Sequence, residues 1–182
     1  RLRSRGVTVA IMMAITLAFS VISVPKATAF DDANPVSGVD VADWQHPDGS
    51  DIDWKSVEAD GQKFAFIKAT EGQGYTNYFE DDVKQAKEAG LRVGSYHFAR
   101  PGESAALQAA NYANTIRTMP QPSLPPVLDI ESDDGVGPEE VQRWVKEFVT
   151  EVEALTGRAP MIYTYRYFWS EQMGDTTDFK DY

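Results

Sequence analysis

Two carboxylates stand two residues apart at the end of the apolar segment LPPVLDIE, which runs from Leu124 to Glu131. Because side chains alternate between the two faces of a β-strand, Asp129 and Glu131 would share one face, with backbones about 6.5–7 Å apart. Acids at the end of a buried strand are costly to a fold unless something uses them; the plainer alternative is two solvated acids. Neighbouring carboxylates raise each other's proton affinity, so we expect Glu131 to keep a proton while Asp129 stays ionised.

The chain alternates five times between strand-like and helix-like segments. This alternation predicts a parallel sheet with helices outside it, either a barrel or a doubly wound sheet. No Gly-x-Gly-x-x-Gly motif or phosphate loop follows a strand, which argues against the nucleotide-binding form. The strand-like segments are 38–42, 64–69, 91–98, 124–131 and 160–165, and the helix-like segments are 51–60, 77–89, 104–119, 137–157 and 166–174.

Polar side chains gather where the first four predicted strands end: Asp40, Glu71, His97, Asp129 and Glu131. In a barrel these ends meet at one mouth, which is the usual catalytic face. Clustered acids without a Ser or Cys nucleophile motif suit glycosidic bond cleavage, which needs a protonated carboxylic acid and a second group that stabilises the cationic sugar. A divalent metal held by Asp129, Glu131, Asp40 and His97 is the alternative, but no His-x-x-x-His pair supports it. We therefore expect neither a metal nor a cofactor.

Aromatic residues near the predicted strand ends could present ring faces to sugars, although each alone is more often a core residue. They are Trp44, Tyr75, Tyr165 and Trp169. His46 lies in a turn, and we expect it at the surface.

The first 29 residues have the pattern of a secretory signal peptide. Four basic residues and no acid flank an apolar run at 7–24, and the small-x-small site 27–29 follows. We predict a signal peptide at 1–29, a leader at 30–36, and export to the cell wall or the medium. Contact with a membrane would then occur only before cleavage; the alternative is an uncleaved anchor.

The remaining chain is strongly acidic and has no cysteine. The chain has 17 Lys and Arg residues, four of them in the first 29 positions, which leaves 13 against 28 Asp and Glu, a net charge of −15. Such a chain does not attract nucleic acid or anionic surfaces. Without disulfides it depends on its core, and its length suits one domain, which we place at 37–182 and expect to be monomeric.

Five ordered blocks carry a family resemblance: GVDVADWQ (38–45), FAFIKATEG (64–72), AGL-x-VGSYHF (89–98), LPPVLDIE (124–131) and TG-x-APMIYT (156–164). Together they resemble glycoside hydrolase family 25, the lysozymes (N-acetylmuramidases) of the Chalaropsis type. The resemblance spans about residues 37–170, and the blocks occur in the family's order and spacing.

The resemblance implies an irregular TIM-like β/α barrel that hydrolyses the β-1,4 bond between N-acetylmuramic acid and N-acetylglucosamine in peptidoglycan. It assigns Glu131 as general acid/base, and Asp129 as the group that orients the substrate's N-acetyl group or stabilises the oxocarbenium-like state. Asp40 matches a further active-site Asp, and Tyr96 and Glu71 fall in blocks that line the cleft. Covalent and substrate-assisted mechanisms both stay open, because backbone separation does not fix carboxyl separation.

Three further residues complete the expected substrate-binding set: His97, Trp44 and Tyr165. The partner implied is the glycan strand of peptidoglycan.

The end of the chain departs from the family pattern. Five strands are visible where a closed barrel has about eight, and the family's last strands carry another active-site Asp. We therefore expect the C-terminal strands to be missing from this chain. Two other functions stay open: a wall-binding barrel without catalysis, and a chitinase-like endo-glycosidase. The second would carry further acids where this chain has Leu124 and Val127.

Overall fold

Five parallel strands form the centre of the fold, and a helix follows each of them along the chain. The computed structural model describes residues 35–119 and 123–182, so the predicted signal peptide lies outside the described residues. The strands are β1 (Gly38–Val41), β2 (Phe64–Glu71), β3 (Gly74–Tyr75), β4 (Arg92–Phe98), β5 (Val127–Asp129) and β6 (Met161–Tyr163). The helices are α1 (Trp54–Ala59), α2 (Phe79–Glu88), α3 (Ala105–Ile116), α4 (Pro138–Thr156) and α5 (Arg166–Met173).

The sheet has the order β1-β2-β4-β5-β6, and all of these neighbours are parallel. β3 is a two-residue strand that pairs antiparallel with β2, and the alternation of segments did not predict it. Within the described residues β1 and β6 are the outer strands, so the sheet there is open. The predicted α/β architecture, a parallel sheet with a helix after each strand, is confirmed.

The two faces of the sheet have different surroundings. On one face, Ala65 and Ile67 of β2 are buried in a core shared with residues from the helices. On the other face, Phe64 and Phe66 are only partly buried and line a cleft. Because side chains of a strand alternate, a shift of one residue decides whether a group lies under the helices or in the cleft.

Local signals explain where most helices begin and end. Asp53 caps α1 and Ser104 caps α3, each side chain accepting a hydrogen bond from a backbone N–H three residues on. Pro138 begins α4, and Gly157 ends it with φ of 71°, a conformation that suits glycine. The helix predicted at 77–89, for which Asn77 was the expected cap, begins at Phe79 instead.

Helices α3 and α4 pack against each other on the covered face. Spacing predicts a buried stripe on α4 at Val141, Val145, Phe148, Val152 and Leu155. The first four are buried, but Leu155 in the last turn is 52% exposed. Spacing also predicts an apolar side of α3 at Leu107, Ala110 and Ile116, but Leu107 is 56% exposed. The buried residues of α3 are Ala105, Gln108, Ala109, Tyr112 and Ala113. None of the helices in the described ranges combines the length and the apolar character that a membrane span requires.

Candidate active site

A cleft of about 320 Å³ opens on the uncovered face of the sheet. Its polar wall consists of Asp40 from β1, Tyr96 from β4, Asp129 from β5 and Tyr163 from β6. The apolar wall consists of Gly38, Val39, Phe64, Phe66, Val127, Met161 and Ile162. Parallel pairing of the strands therefore brings three of the predicted site residues, Asp40, Tyr96 and Asp129, into one cleft.

Asp129 is the most perturbed acid of the cleft. It is the last residue of β5, and its Oδ1 atom is buried with no hydrogen-bond partner among the described residues. Burial, followed by the negative charge of Glu131, raises the pKa of Asp129 to about 7, while the Lys68 ammonium acts in the opposite direction. Asp129 therefore carries a proton in mildly acidic solution.

Glu131 lies two residues beyond Asp129 and is partly exposed. The intervening Ile130 is fully buried among core residues, as expected when neighbouring side chains take opposite faces. The Tyr165 hydroxyl donates to the Glu131 backbone oxygen at 3.4 Å, which joins the segment after β5 to the segment after β6. We expected Asp129 to stay ionised. This expectation is wrong for mildly acidic solution, because burial raises the pKa of Asp129.

Asp40 and Tyr96 complete the polar wall. Asp40 is exposed to the cleft, and Tyr96 is buried. Burial raises the pKa of Tyr96, and the charges of Asp40 and Asp129 raise it further. The phenol is therefore a neutral hydrogen-bond donor beside the acids.

Glu71 does not present a free carboxylate to the cleft. Its oxygens accept hydrogen bonds from Lys68 Nζ and from the Arg100 guanidinium, whose Nε lies 3.0 Å away. Burial alone would raise the pKa of Glu71, but these two cations outweigh it and lower the pKa. Arg100 also pairs with Asp134 at 3.6 Å. We therefore assign Glu71 to an ion-pair network rather than to direct substrate contact.

Sequence reasoning missed Lys68, whose ammonium lies 5.0 Å from the centre of the Phe98 ring. Strand alternation predicts its position, because Lys68 lies two residues beyond Phe66 in β2 and therefore on the same face of the sheet as Phe64 and Phe66.

His97 was predicted to bind substrate, and the structure places it on the opposite face of the sheet. Its side chain is fully buried and stacks on Phe148 of α4, with ring centres 4.8 Å apart. Nε2 donates to Gln108 Oε1 at 2.9 Å, and Nδ1 accepts from Thr70 Oγ1 at 2.7 Å. Burial lowers the pKa of His97 to about 4, so the ring is neutral. The prediction is wrong because Tyr96, the neighbouring residue, occupies the cleft face.

This placement of His97 also contradicts the alternative metal site, since four ligands divided between two faces of a sheet cannot converge on one ion. Among residues 35–119 and 123–182, no group of three or more His, Asp or Glu side chains is arranged to hold a metal.

The aromatic candidates differ in position. Trp44 is 88% exposed in the short turn Asp43–Gln45 that follows β1, and Tyr75 and Tyr165 are also exposed. Trp169 is partly buried and packs edge-on against Phe179 beside the core. The exposed three remain candidates for contact with a sugar.

His46 was expected at the surface, and this prediction is wrong. Its side chain is buried, with its ring against Tyr78 and its Nε2 atom 2.8 Å from Asp82 Oδ2. The turn assignment was right, but the turn folds its histidine inward onto α2.

Comparison with known proteins gives consistent matches. The family model described as "Glycosyl hydrolases family 25" matches residues 39–182. Lysozyme M1 from Streptomyces globisporus is 36% identical over 153 residues, which cover 79% of this chain and 51% of that protein. The chain therefore spans about half the length of the curated relatives it matches.

Solved structures match at the level of the fold. A muramidase from Trichobolus zukalii has a TM-score of 0.70 at 33% identity, covering 80% of this chain and 72% of that one. The bacterial lysozyme from Streptomyces coelicolor has a TM-score of 0.67 at 36% identity, covering 76% of this chain and 67% of that one. The ordered blocks, the parallel sheet and the family match agree, and the chain belongs to glycosyl hydrolase family 25.

Proposed function

We propose that this protein is a lysozyme that hydrolyses the β-1,4 bond between N-acetylmuramic acid and N-acetylglucosamine in peptidoglycan. One observation carries the proposal. The carboxyl of Asp129, whose buried Oδ1 atom has no partner among the described residues, lies two residues from Glu131 and shares a cleft with Asp40 and Tyr96. Glycoside hydrolysis needs such a pair, one member protonated and the other able to stabilise positive charge.

Asp129 and Glu131 interact, since the negative charge of Glu131 contributes, after burial, to the raised pKa of Asp129. In such a pair the proton belongs to both groups, so its resting place does not by itself identify the donor. We assign Glu131 as the general acid/base because it holds that place in the LPPVLDIE block, where the chain resembles the family. As Glu131 gives its proton to the leaving oxygen, Asp129 can bond the 2-acetamido group or stabilise the oxocarbenium-like sugar.

The remaining cleft residues bind and orient the substrate. Tyr96 offers a neutral hydroxyl, and Asp40 adds negative charge that favours a cationic transition state. Trp44, in the turn after β1, and Tyr165, after β6, offer exposed ring faces. No step of this scheme uses a cofactor.

The substrate class is supported by the relatives' names. Lysozyme M1 is one, and an N,O-diacetylmuramidase from Chalaropsis is another, at 32% identity over 163 residues. We further propose, from the pattern of residues 1–29, that the protein is exported and meets peptidoglycan outside the cell as a monomer.

The experiment is digestion of purified peptidoglycan, followed by borohydride reduction and identification of the reduced sugar. Muramitol-type ends support the proposal, and glucosaminitol-type ends contradict it. Cleavage of chitin oligomers without cleavage of peptidoglycan would favour the chitinase-like alternative. Retention on peptidoglycan without new reducing ends would favour a wall-binding module. Glu139→Gln, an exposed acid of α4, serves as the matched control for variants of the cleft acids.

A further inference from the structure

A buried cluster lies behind the turn that carries Trp44, outside the catalytic cleft. His46 is 6% exposed, and its ring stacks on Tyr78 with centres 3.8 Å apart and planes 5° apart. Asp82 of α2 is also buried, and its Oδ1 atom accepts a hydrogen bond from Trp54 Nε1 at 3.1 Å. The cluster thus joins the segment after β1 to the first turns of α1 and α2.

The partners of His46 specify its protons. Nδ1 lies 2.9 Å from the Ser50 backbone oxygen, which can only accept, so Nδ1 donates. Nε2 lies 2.8 Å from Asp82 Oδ2, and one proton lies between these two atoms. If that proton is lost, a nitrogen lone pair faces a buried carboxylate, and the contact becomes repulsive.

His46 also holds the backbone of the turn. It lies between two short helical turns, Asp43–Gln45 and Pro47–Gly49. Its N–H donates to the Asp43 oxygen at 3.1 Å, and its carbonyl accepts from the Gly49 N–H at 3.0 Å. Trp44 itself is 88% exposed, so the direction of its indole depends on this backbone.

We propose that His46 and Asp82 are positioning residues that hold the turn carrying Trp44 for sugar binding, and that the pair releases the turn when it loses its shared proton. This inference rests on the proposed function only for the identity of the sugar ligand. The mechanical part, a buried hydrogen-bonded pair behind the turn that carries Trp44, stands on the contacts alone.

The charges around the pair are few. Asp82 faces it from α2, Tyr78 from the residue before α2, and Asp51 from the segment after the turn; Trp54 of α1 contributes an uncharged N–H. Burial raises the pKa of Asp82, and the hydrogen bonds from His46 and Trp54 partly offset that rise. Asp51 adds further negative charge, which favours retention of the proton.

Asp82→Asn is the decisive variant because it inverts the pH dependence. The amide oxygen still accepts from Trp54, and the amide N–H₂ donates to the Nε2 atom of a neutral His46. In this variant the hydrogen bond between residue 82 and His46 is kept at alkaline pH. It is lost in acid, where a protonated Nε2 would face the amide N–H₂, which is also a donor. In wild type the hydrogen bond between His46 and Asp82 is lost in the alkaline range instead. Asp81→Asn, the exposed neighbour on α2, is the matched control.

Two readouts test the proposal between pH 5 and pH 9. Imidazole ¹⁵N NMR is simple because the chain has only two histidines. We expect slowly exchanging protons on both His46 nitrogens in acidic wild type, and on Nδ1 alone in Asp82→Asn at alkaline pH. Titration with an N-acetylglucosamine oligomer should show affinity falling about three- to tenfold in the alkaline range for wild type, and in the acidic range for Asp82→Asn.

Trp44→Ala shows whether the effect passes through Trp44. We expect Trp44→Ala to weaken oligomer binding by the same three- to tenfold factor. It should also remove the pH dependence that Asp82→Asn alters, since Trp44→Ala and Asp82→Asn both act on the contact between Trp44 and the oligomer. Equal pH profiles for wild type, Asp82→Asn and Asp81→Asn would overturn the proposal. So would a single proton on His46 in acidic wild type. Absence of peptidoglycan cleavage would contradict the proposed function but leave the NMR result to decide the pair.

Discussion

At the scale of the residue, Asp129 shows what strand alternation can predict and what it cannot. Alternation correctly placed Asp129 on the face opposite Leu128 and Ile130, which are both fully buried in the core. It could not predict which of the two acids is enclosed, because burial depends on the neighbouring strands β4 and β6. The raised pKa therefore falls on Asp129, where the sequence alone suggested Glu131.

The raised pKa of Asp129 predicts a pH-dependent cost to stability. The carboxyl binds its proton more tightly in the folded state, so its contribution is fully present below about pH 4 and is lost as pH rises through about 7. Asp129→Asn cannot ionise. As pH rises from 4 to 8, we expect the free energy of unfolding of Asp129→Asn to increase relative to wild type by about 1 kcal/mol, after allowance for solvent screening. This corresponds to roughly 2–4 °C in Tm.

Calorimetry of both proteins at the two pH values measures this difference. Glu139→Gln should show no such trend, because the residue is exposed. An Asp129→Asn advantage that is equal at pH 4 and pH 8 would show that the Asp129 carboxyl is not perturbed.

At the scale of the element, periodicity and capping predicted all five strand–helix units but not their polar cores. Ser104 signals the start of α3, yet nothing in the spacing shows that Gln108 and Tyr112 face the sheet. Their partners lie in β4, in the segment after it and in β5, 8 to 17 residues away along the chain and outside the periodicity of α3. β5 is also shorter than the apolar segment, because Pro125 and Pro126 lack the N–H that strand pairing uses.

Tyr112 joins α3 to two strands. Its hydroxyl donates to the Ser95 backbone oxygen at 2.9 Å and accepts from the Val127 N–H at 3.0 Å. Tyr112→Phe would leave both buried backbone groups without this partner, and we expect a loss of about 1–3 kcal/mol in the free energy of unfolding. Urea denaturation measures it.

Tyr167→Phe is the control, because Tyr167 is exposed and should change the free energy of unfolding by less than about 0.5 kcal/mol. Equal midpoints for the two variants would mean that the Tyr112 hydroxyl does not support the sheet.

At the scale of the whole molecule, the order of the sequence blocks predicted the family, and the family match confirms it. Five weak local patterns in one order are far more specific than any single pattern. What the blocks could not predict is chain-specific packing. The inward turn of His46 depends on Asp82, 36 residues away, and no local pattern joins the two.

The acidic composition predicts that salt helps the protein reach its substrate. With a net charge of −15 beyond residue 29, the protein should be repelled by walls that carry anionic polymers, and salt screens that repulsion. We expect the rate at which the protein clears a turbid suspension of such walls to rise roughly several-fold between 10 and 150 mM salt. Walls stripped of the anionic polymers are the control and should show little change. Equal salt dependence on both would contradict the explanation.

The central claim is that Glu131 transfers the proton at the glycosidic oxygen. The measurement is kcat/KM for reducing-end release from purified peptidoglycan by wild type, Glu131→Gln and Glu139→Gln, with Tm confirming that all three are folded. We predict a fall of at least about 10²-fold for Glu131→Gln, in the range that general acid catalysis contributes, and no change for Glu139→Gln. A Glu131→Gln rate within about tenfold of wild type would contradict the claim.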